Sequence, residues 1–211
     1  MPLVTLRSVT FAYAKGPTVI TEASLVVERG QSVCLWGPSG SGKSTLLALV
    51  GGVVRPQSGD VVVHTSTSEA DVCTAWVAQS PTVFPRLTAA QNVAMGAILR
   101  GSKPGPAHAQ AVSLLDRLGL GDLAEKRARE LSGGQAQRVT IGRALAASPD
   151  LLLADEPTGQ LDRTATGQVC EVMLATAPGT AVVVASHDEY VAARCDRVIT
   201  IWDGQVHETR P

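Results

Sequence analysis

Apolar positions change period along the chain, and each change predicts an element. The opening alternates through Leu3, Leu6, Val9 and Phe11, then Val19 and Ile20, then Ser24-Leu-Val-Val. With a turn at Lys15-Gly16-Pro17, this predicts short antiparallel strands. Ser32-Val-Cys-Leu-Trp36 is an apolar run ending in glycine, the pattern of a strand buried on both faces. From Ser44 the apolar positions Leu46, Leu47, Leu49 and Val50 take a helical spacing. Val61-Val-Val63 and Ala75-Trp-Val-Ala78 predict two more strands.

The middle of the chain reads differently. Thr88-Ala-Ala-Gln91 has the form of a capping box, in which the two side chains satisfy each other's backbone N–H groups. Helix formers continue to Leu99. The run from Gly101 to Pro106 predicts a loop, and Ala107–Leu118 predicts a second helix closed by Gly119. Residues from about 80 to 131 therefore read as a helical subdomain inserted in a strand-rich chain. From Ser132 the alternation returns. A helix is expected over 133–147, a buried strand over 151–155, a helix over 164–176 and a buried strand over 181–186. Val198–Trp202 and Gln205–Glu208 flank Asp203-Gly204, a hairpin turn. Strands alternating with helices predict a mainly parallel sheet covered on both faces. The expected fold is a single α/β domain over 1–211. It has a mainly parallel core, an N-terminal antiparallel β subdomain and the inserted helical subdomain.

Composition narrows the function. The 211 residues are 45% hydrophobic and 18% charged, which excludes a disordered chain, and only 3% aromatic, which makes the core aliphatic. A net charge of -1 argues against nucleic-acid binding through bulk electrostatics, and none is expected. MPLVTLRSVTF lacks the layout of a signal peptide. The longest uncharged stretch, Val172–Ser186, is broken at Pro178-Gly179 and is too short to span a bilayer. A membrane role would need a second chain. Cys34, Cys73, Cys170 and Cys195 form no CxxC pair and have no His at zinc-ligand spacing. They are expected to be small buried hydrophobes of a reduced, cytoplasmic protein.

The candidate chemistry lies at strand ends. Gly37, Pro38, Ser39, Gly40, Ser41, Gly42, Lys43 and Ser44 fit G-x-x-x-x-G-K-[ST], after a buried strand and at the start of a helix. The glycines let backbone N–H groups converge on phosphate oxygens, and the helix N-terminus adds open donors and a favourable dipole. Lys43 supplies a point charge to the terminal phosphates and Ser44 a hydroxyl to Mg²⁺. Asp155 closes the strand over 151–155, at the edge where ligands of such sheets bind, and can hold Mg²⁺ through water. Glu156, one residue further, can orient or deprotonate an attacking water. A second helix start, Ser132-Gly133-Gly134-Gln135, also exposes backbone N–H groups beside a capping serine. Alone it would be an ordinary cap. Since one nucleotide has one terminal phosphate, already met by Lys43, the economical reading is that this site serves the nucleotide of another subunit across a two-fold interface.

A phosphate loop, LSGGQ, LLLADEP and ASHD occur here in that order, so the chain resembles an ABC-type ATPase nucleotide-binding subunit from about Leu3 to Val206. The resemblance implies a P-loop NTPase core with ATP and Mg²⁺ as ligands, with Thr45 continuing the phosphate loop. It places Tyr13 where an aromatic stacks on adenine. Gln79 matches the Q-loop glutamine that touches Mg²⁺ and responds to the membrane partner. Asp162 matches the D-loop aspartate, and His187 the switch histidine at the γ-phosphate. From the residues alone, Tyr13 could pack on the edge strands. Likewise Gln79 could be a polar strand end and His187 a structural histidine.

SPTVFPRLTAAQNVAMG, LSGGQAQRVTIGRALAASPDLLLADEPTGQLD and RVITIWDGQV are similar to the lipoprotein-releasing and macrolide-export branch. Gln160 stands where that branch has Asn, and the stretch between Val63 and Trp76 is about a dozen residues shorter than in that branch, where a short helix usually precedes the Q-loop. The implied function is ATP hydrolysis at a head-to-tail dimer, a homodimer or a pair with a second ATPase subunit. This would sit peripherally on the inner face of the cell membrane and drive a separate transmembrane permease subunit. Pro81, Val83, Phe84, Pro85 and Leu87 would receive a helix of that partner. A non-transport regulator of a membrane protein, of the cell-division type, stays open. A DNA-acting cassette is disfavoured by the absence of heptads between the two motifs. A ribosome-acting one is disfavoured by the single set of motifs.

Overall fold

The computed structural model describes residues 1–64, 72–175 and 179–209. The opening forms two strands of 11 residues each, β1 (Pro2–Ala12) and β2 (Thr18–Glu28), paired antiparallel. They are longer than expected, and bulges carry them on. The register shifts between Leu6 and Val9 and again between Val9 and Phe11. A bulge adds a residue to one strand, so Leu6 and Val9 are both buried although they are three residues apart. After β3 (Ser32–Trp36), β4 (Ser58–Val63) pairs with the free edge of β1 and completes a three-stranded sheet.

The second sheet takes in β3 together with β5 (Thr74–Val77), β6 (Leu151–Asp155), β7 (Ala181–Ser186), β8 (Arg197–Trp202) and β9 (Gln205–Thr209). Its order is β5-β6-β7-β3-β8-β9, and every neighbour is parallel except the closing β8–β9 hairpin. The buried apolar runs are thus its central strands, as parallel sheets covered on both faces require.

Three apolar clusters hold the layers. In the first, α1 (Lys43–Val50) wedges Leu46, Leu47 and Leu49 between the antiparallel sheet and the parallel one. Each of these leucines is fully buried and contributes about 2 kcal/mol by leaving water. On the opposite face, α4 (Gly133–Ala146) and α5 (Arg163–Leu174) bury Ile141, Val169 and Met173 against Leu152 and Val184. In the third, α2 (Ala89–Leu99) and α3 (Pro104–Arg117) pack Val93 and Leu115 onto Val139. The helix α4 therefore belongs both to the sheet core and to the helical region that runs between β5 and α4.

Thr88 caps α2 with the expected reciprocal box to Gln91. The loop expected over 101–106 is shorter, because α3 begins at Pro104. Proline is excluded from helix interiors but suits the first turn, where its missing N–H would be unpaired anyway. Only Cys34 and Cys170 are fully buried, whereas Cys73 and Cys195 are half-buried, so the four are not uniformly core residues. Burial pushes the Cys170 thiol up to about 11. The shortened stretch before Trp76 lies largely outside the described residues, as does the expected end of the helix at residue 176. Among the described residues no helix is long and apolar enough to cross a membrane.

Candidate functional site

The phosphate loop runs from the end of β3 into α1. Its last glycine, Gly42, has φ 102, a left-handed conformation that an L side chain rarely adopts, and a Cβ there would lie 2.9 Å from Ile20 Cδ1. The turn is thus pinned under β2. No side chain caps α1, and its first turn holds no acid, so its first N–H groups face the loop uncompensated. Lys43 is buried and folds back across the loop. Its Nζ donates to Gly37 O at 2.8 Å and Pro38 O at 3.1 Å, and lies 3.7 Å from Glu156 Oε1.

Glu156 leaves β6 with φ 45, a conformation that costs a non-glycine residue about 1–2 kcal/mol. Its N–H donates to Ala185 O, tying the turn to β7. The strain swings the carboxylate inward, where only 13% of the side chain is exposed, and Oε1 meets His187 Nδ1 at 3.0 Å. One carboxylate oxygen is therefore flanked by the buried Lys43 ammonium and by an imidazole that stands at the carboxyl end of β7.

These groups line a cavity of about 380 Å³. Ser44, Gln79 and Asp155 line it too. A hydroxyl, an amide and one carboxylate are hard oxygen donors, and they fit Mg²⁺, which takes few protein ligands and completes its shell with phosphate and water oxygens. Among the described residues no cluster of three His, Cys, Asp or Glu side chains could hold a metal alone. Gln79 sits one residue beyond Ala78, whose carbonyl accepts a 3.0 Å bond from Gln137 Nε2 of α4. Tyr13 is half exposed and stands beside α1, its hydroxyl 3.2 Å from Thr45 Oγ1 and its ring edge-on to Phe11.

Other expected residues lie apart. Asp162 does not line this cavity; it caps α5, accepting from Ala165 N at 2.8 Å. Ser132, Gly133, Gly134 and Gln135 do not line it either. Ser132 and Gln135 form a reciprocal capping box at the start of α4, with bonds of 3.0 and 3.3 Å. Their neighbour is the chain's own segment after Glu156: a Cβ on Gly134 would lie 3.2 Å from Leu161 Cδ2, and one on Gly133 3.2 Å from Gln160 Oε1. Gln160 also lines the Lys43 cavity, so it spans the space between the two glycine-rich helix starts. The sequence marked Gln160 only as a departure from a pattern. It gave no sign of the link from Gln137 to the backbone beside Gln79, because the two segments are far apart along the chain.

A family model described as ABC transporter matches residues 20–159. The chain is 39% identical over 217 residues to the lipoprotein-releasing system ATP-binding protein LolD of Shewanella sp., covering 96% of this chain and 94% of that protein. It is 40% identical over 219 residues to the macrolide export ATP-binding/permease protein MacB of Burkholderia pseudomallei, covering 97% of this chain but 34% of that protein, about a third of its length. Among solved structures, the dimeric post-hydrolysis state of the ATP-binding cassette MJ0796 bound to ADP and Pi superposes with a TM-score of 0.84 at 32% identity, covering 99% of both chains.

Proposed function

The chain belongs to the ABC transporter family of ATP-hydrolysing cassettes, and on that premise we propose that it binds Mg·ATP, closes as a head-to-tail dimer and hydrolyses the nucleotide to drive a transmembrane partner. The observation that carries the hydrolytic reading is the strained Glu156, whose Oε1 lies between Lys43 and His187. A carboxylate held there has a cation on one side and a proton-bearing ring on the other. Glu156 orients the attacking water and takes its proton. Lys43 and the loop N–H groups stabilise the developing phosphoryl charge. His187, held beside Glu156 at the carboxyl end of β7, donates to the γ-phosphate. Tyr13 stacks on the adenine beside Thr45. Ser44, Asp155 and Gln79 hold Mg²⁺, which neutralises charge on the phosphates.

Ser132 and Gly134 complete the site of the other subunit, and Asp162 lies where the two subunits meet. The dimeric form of the similar MJ0796 cassette supports this assembly. The membrane partner docks on the segment after Gln79. Phe84 is half exposed there, and Arg143 of α4 lies 5.4 Å from its ring centre and donates to Thr82. Force on that segment thus reaches α4 directly. The partner places the cassette on the inner face of the membrane, and its identity sets what is moved.

Glu156→Gln keeps the shape and removes the base. It should bind Mg·ATP like the wild type, accumulate as an ATP-bound dimer and lose at least about 10²-fold in turnover. Steady-state hydrolysis near the wild-type rate would remove Glu156 from the mechanism. Co-purification of a membrane protein tests the coupling. A partner without a transport pathway would favour the regulatory role instead.

A further inference from the structure

We infer that Tyr190, clamped between the guanidinium groups of Arg163 and Arg194, is a positioning residue that sets His187 against Glu156. The inference deepens the hydrolytic reading above and rests on it. His187 lies in a short connection between β7 and α6 (Glu189–Ala192), a helix of only 4 residues. Its side chain is 66% exposed, and its Nδ1 lies 3.0 Å from Glu156 Oε1. Apart from that bond the ring is open to solvent, so its place also depends on how the connection is held at both ends.

The upstream end is the buried strand β7, where Ser186 Oγ accepts from Asp188 N at 3.1 Å. The downstream end is Tyr190, whose N–H donates to Asp188 Oδ1 at 2.8 Å. The Tyr190 ring is gripped on both sides. Arg163 lies 4.1 Å from its centroid and Arg194 3.3 Å, and Arg194 also donates to the Tyr190 carbonyl. A guanidinium over an aromatic face is attracted by the ring quadrupole. The phenol tip rests on α5, where a Cβ at Gly167 would come within 3.0 Å of the hydroxyl. Arg163 and Gly167 are four residues apart, so both lie on one face of α5, and the ring covers that face.

Arg163 directly follows Asp162, the cap of α5. The stack therefore joins the start of α5 to the segment that carries His187. Glu156, His187, Arg163 and Tyr190 all line one cavity of about 620 Å³ beside the Lys43 site. Val191 anchors the back of α6 in the core, so the helix keeps its place without the ring. What the ring adds is the orientation of the three residues before it.

The test is a coupling measurement on the full chain. Tyr190→Leu should lower single-turnover hydrolysis about tenfold, as a misplaced reacting group does, with equilibrium ATP binding within about twofold of wild type. Tyr190→Phe keeps the ring and should restore the rate. In a His187→Ala background, Tyr190→Leu should cost nothing further, because a residue acting only through His187 has nothing left to position. An equal further loss in that background, or a wild-type rate for Tyr190→Leu, overturns the inference. Should Tyr190→Leu fail to fold, Arg163→Met in the same two backgrounds carries the same test with the ring in place. Glu156→Gln measured alongside separates the failures. If it hydrolyses normally, the underlying reading falls; if it is inactive while Tyr190 shows no coupling to His187, only the role of Tyr190 falls.

Discussion

The starts of α1 and α4 are both glycine-rich, yet they are finished differently. At α1 the cap is a left-handed glycine, no side chain satisfies the first N–H groups, and a buried lysine reaches over the loop. At α4, Ser132 and Gln135 close a capping box on each other, and no basic side chain lies in the first turn. An open helix start beside a buried cation is built to take an anion as part of its own stability. A start that caps itself is stable without one. The comparison supports the division of labour proposed above, in which the first site would bind the nucleotide and the second would add contacts only when a partner brings a nucleotide to it.

The largest effect should come from Lys43→Ala. It removes the buried cation of the open site and leaves the phosphates to the loop N–H groups, the α1 dipole and Mg²⁺. Mg·ATP affinity by equilibrium titration should fall about 10²-fold, a loss of about 2.7 kcal/mol. Unchanged affinity would mean that α1 is no more a binding site than α4.

Damage at α4 should spare that affinity. Gly134→Asp places a negative charge at the helix start and a Cβ against Leu161 Cδ2, at 3.2 Å, and Gln160 O, at 3.3 Å. Binding by the monomer should persist, while dimer formation and hydrolysis fall about 10²-fold. Part of this is crowding of the chain's own backbone, so Gly134→Ala is the needed partner: it has the Cβ without the charge and should lose far less hydrolysis. Loss of monomer binding in Gly134→Asp with the fold intact by circular dichroism would collapse the distinction between the two sites.

Both helix starts were legible in the sequence because each is a short local run. So were the Thr88–Gln91 capping box, the capping Ser132, the buried strands that close at Asp155 and Ser186, and the mainly parallel sheet, whereas the reciprocal bond from Gln135 to Ser132 emerged only in the structure. The family resemblance and its lipoprotein-release and macrolide-export branch also agree with the relatives found. What stayed hidden depends on segments that meet only in the fold. The left-handed turn of Glu156 follows from its tie to Ala185, some thirty residues away along the chain. The grip of Arg163 on Tyr190 and the place of Gln160 between the glycine-rich starts are likewise non-local. The bulges of β1 hid behind an uneven apolar spacing, and Pro104 and Pro106 read as a loop because proline marks helix starts and loops alike.

The smallest effect gives the cleanest contrast, because the chain contains its own control. Thr88 with Gln91 and Ser132 with Gln135 are the same capping box, at the starts of α2 and α4. Neither glutamine lies in the Lys43 cavity. Gln91→Ala and Gln135→Ala each remove one reciprocal bond at an exposed helix end, so each should cost about 0.5–1 kcal/mol of stability. That is about 1–4 °C in thermal unfolding for a chain of this size. If α4 were merely another capped helix, hydrolysis would respond alike to both. If its start meets the partner's γ-phosphate, Gln135→Ala also loosens the backbone N–H groups that must point at that phosphate. Hydrolysis by Gln135→Ala should then fall about threefold to tenfold, while Gln91→Ala hydrolyses at the wild-type rate despite the same loss of stability. Matching rates for the two variants would return the α4 start to the role of a cap and leave only α1 as a phosphate site.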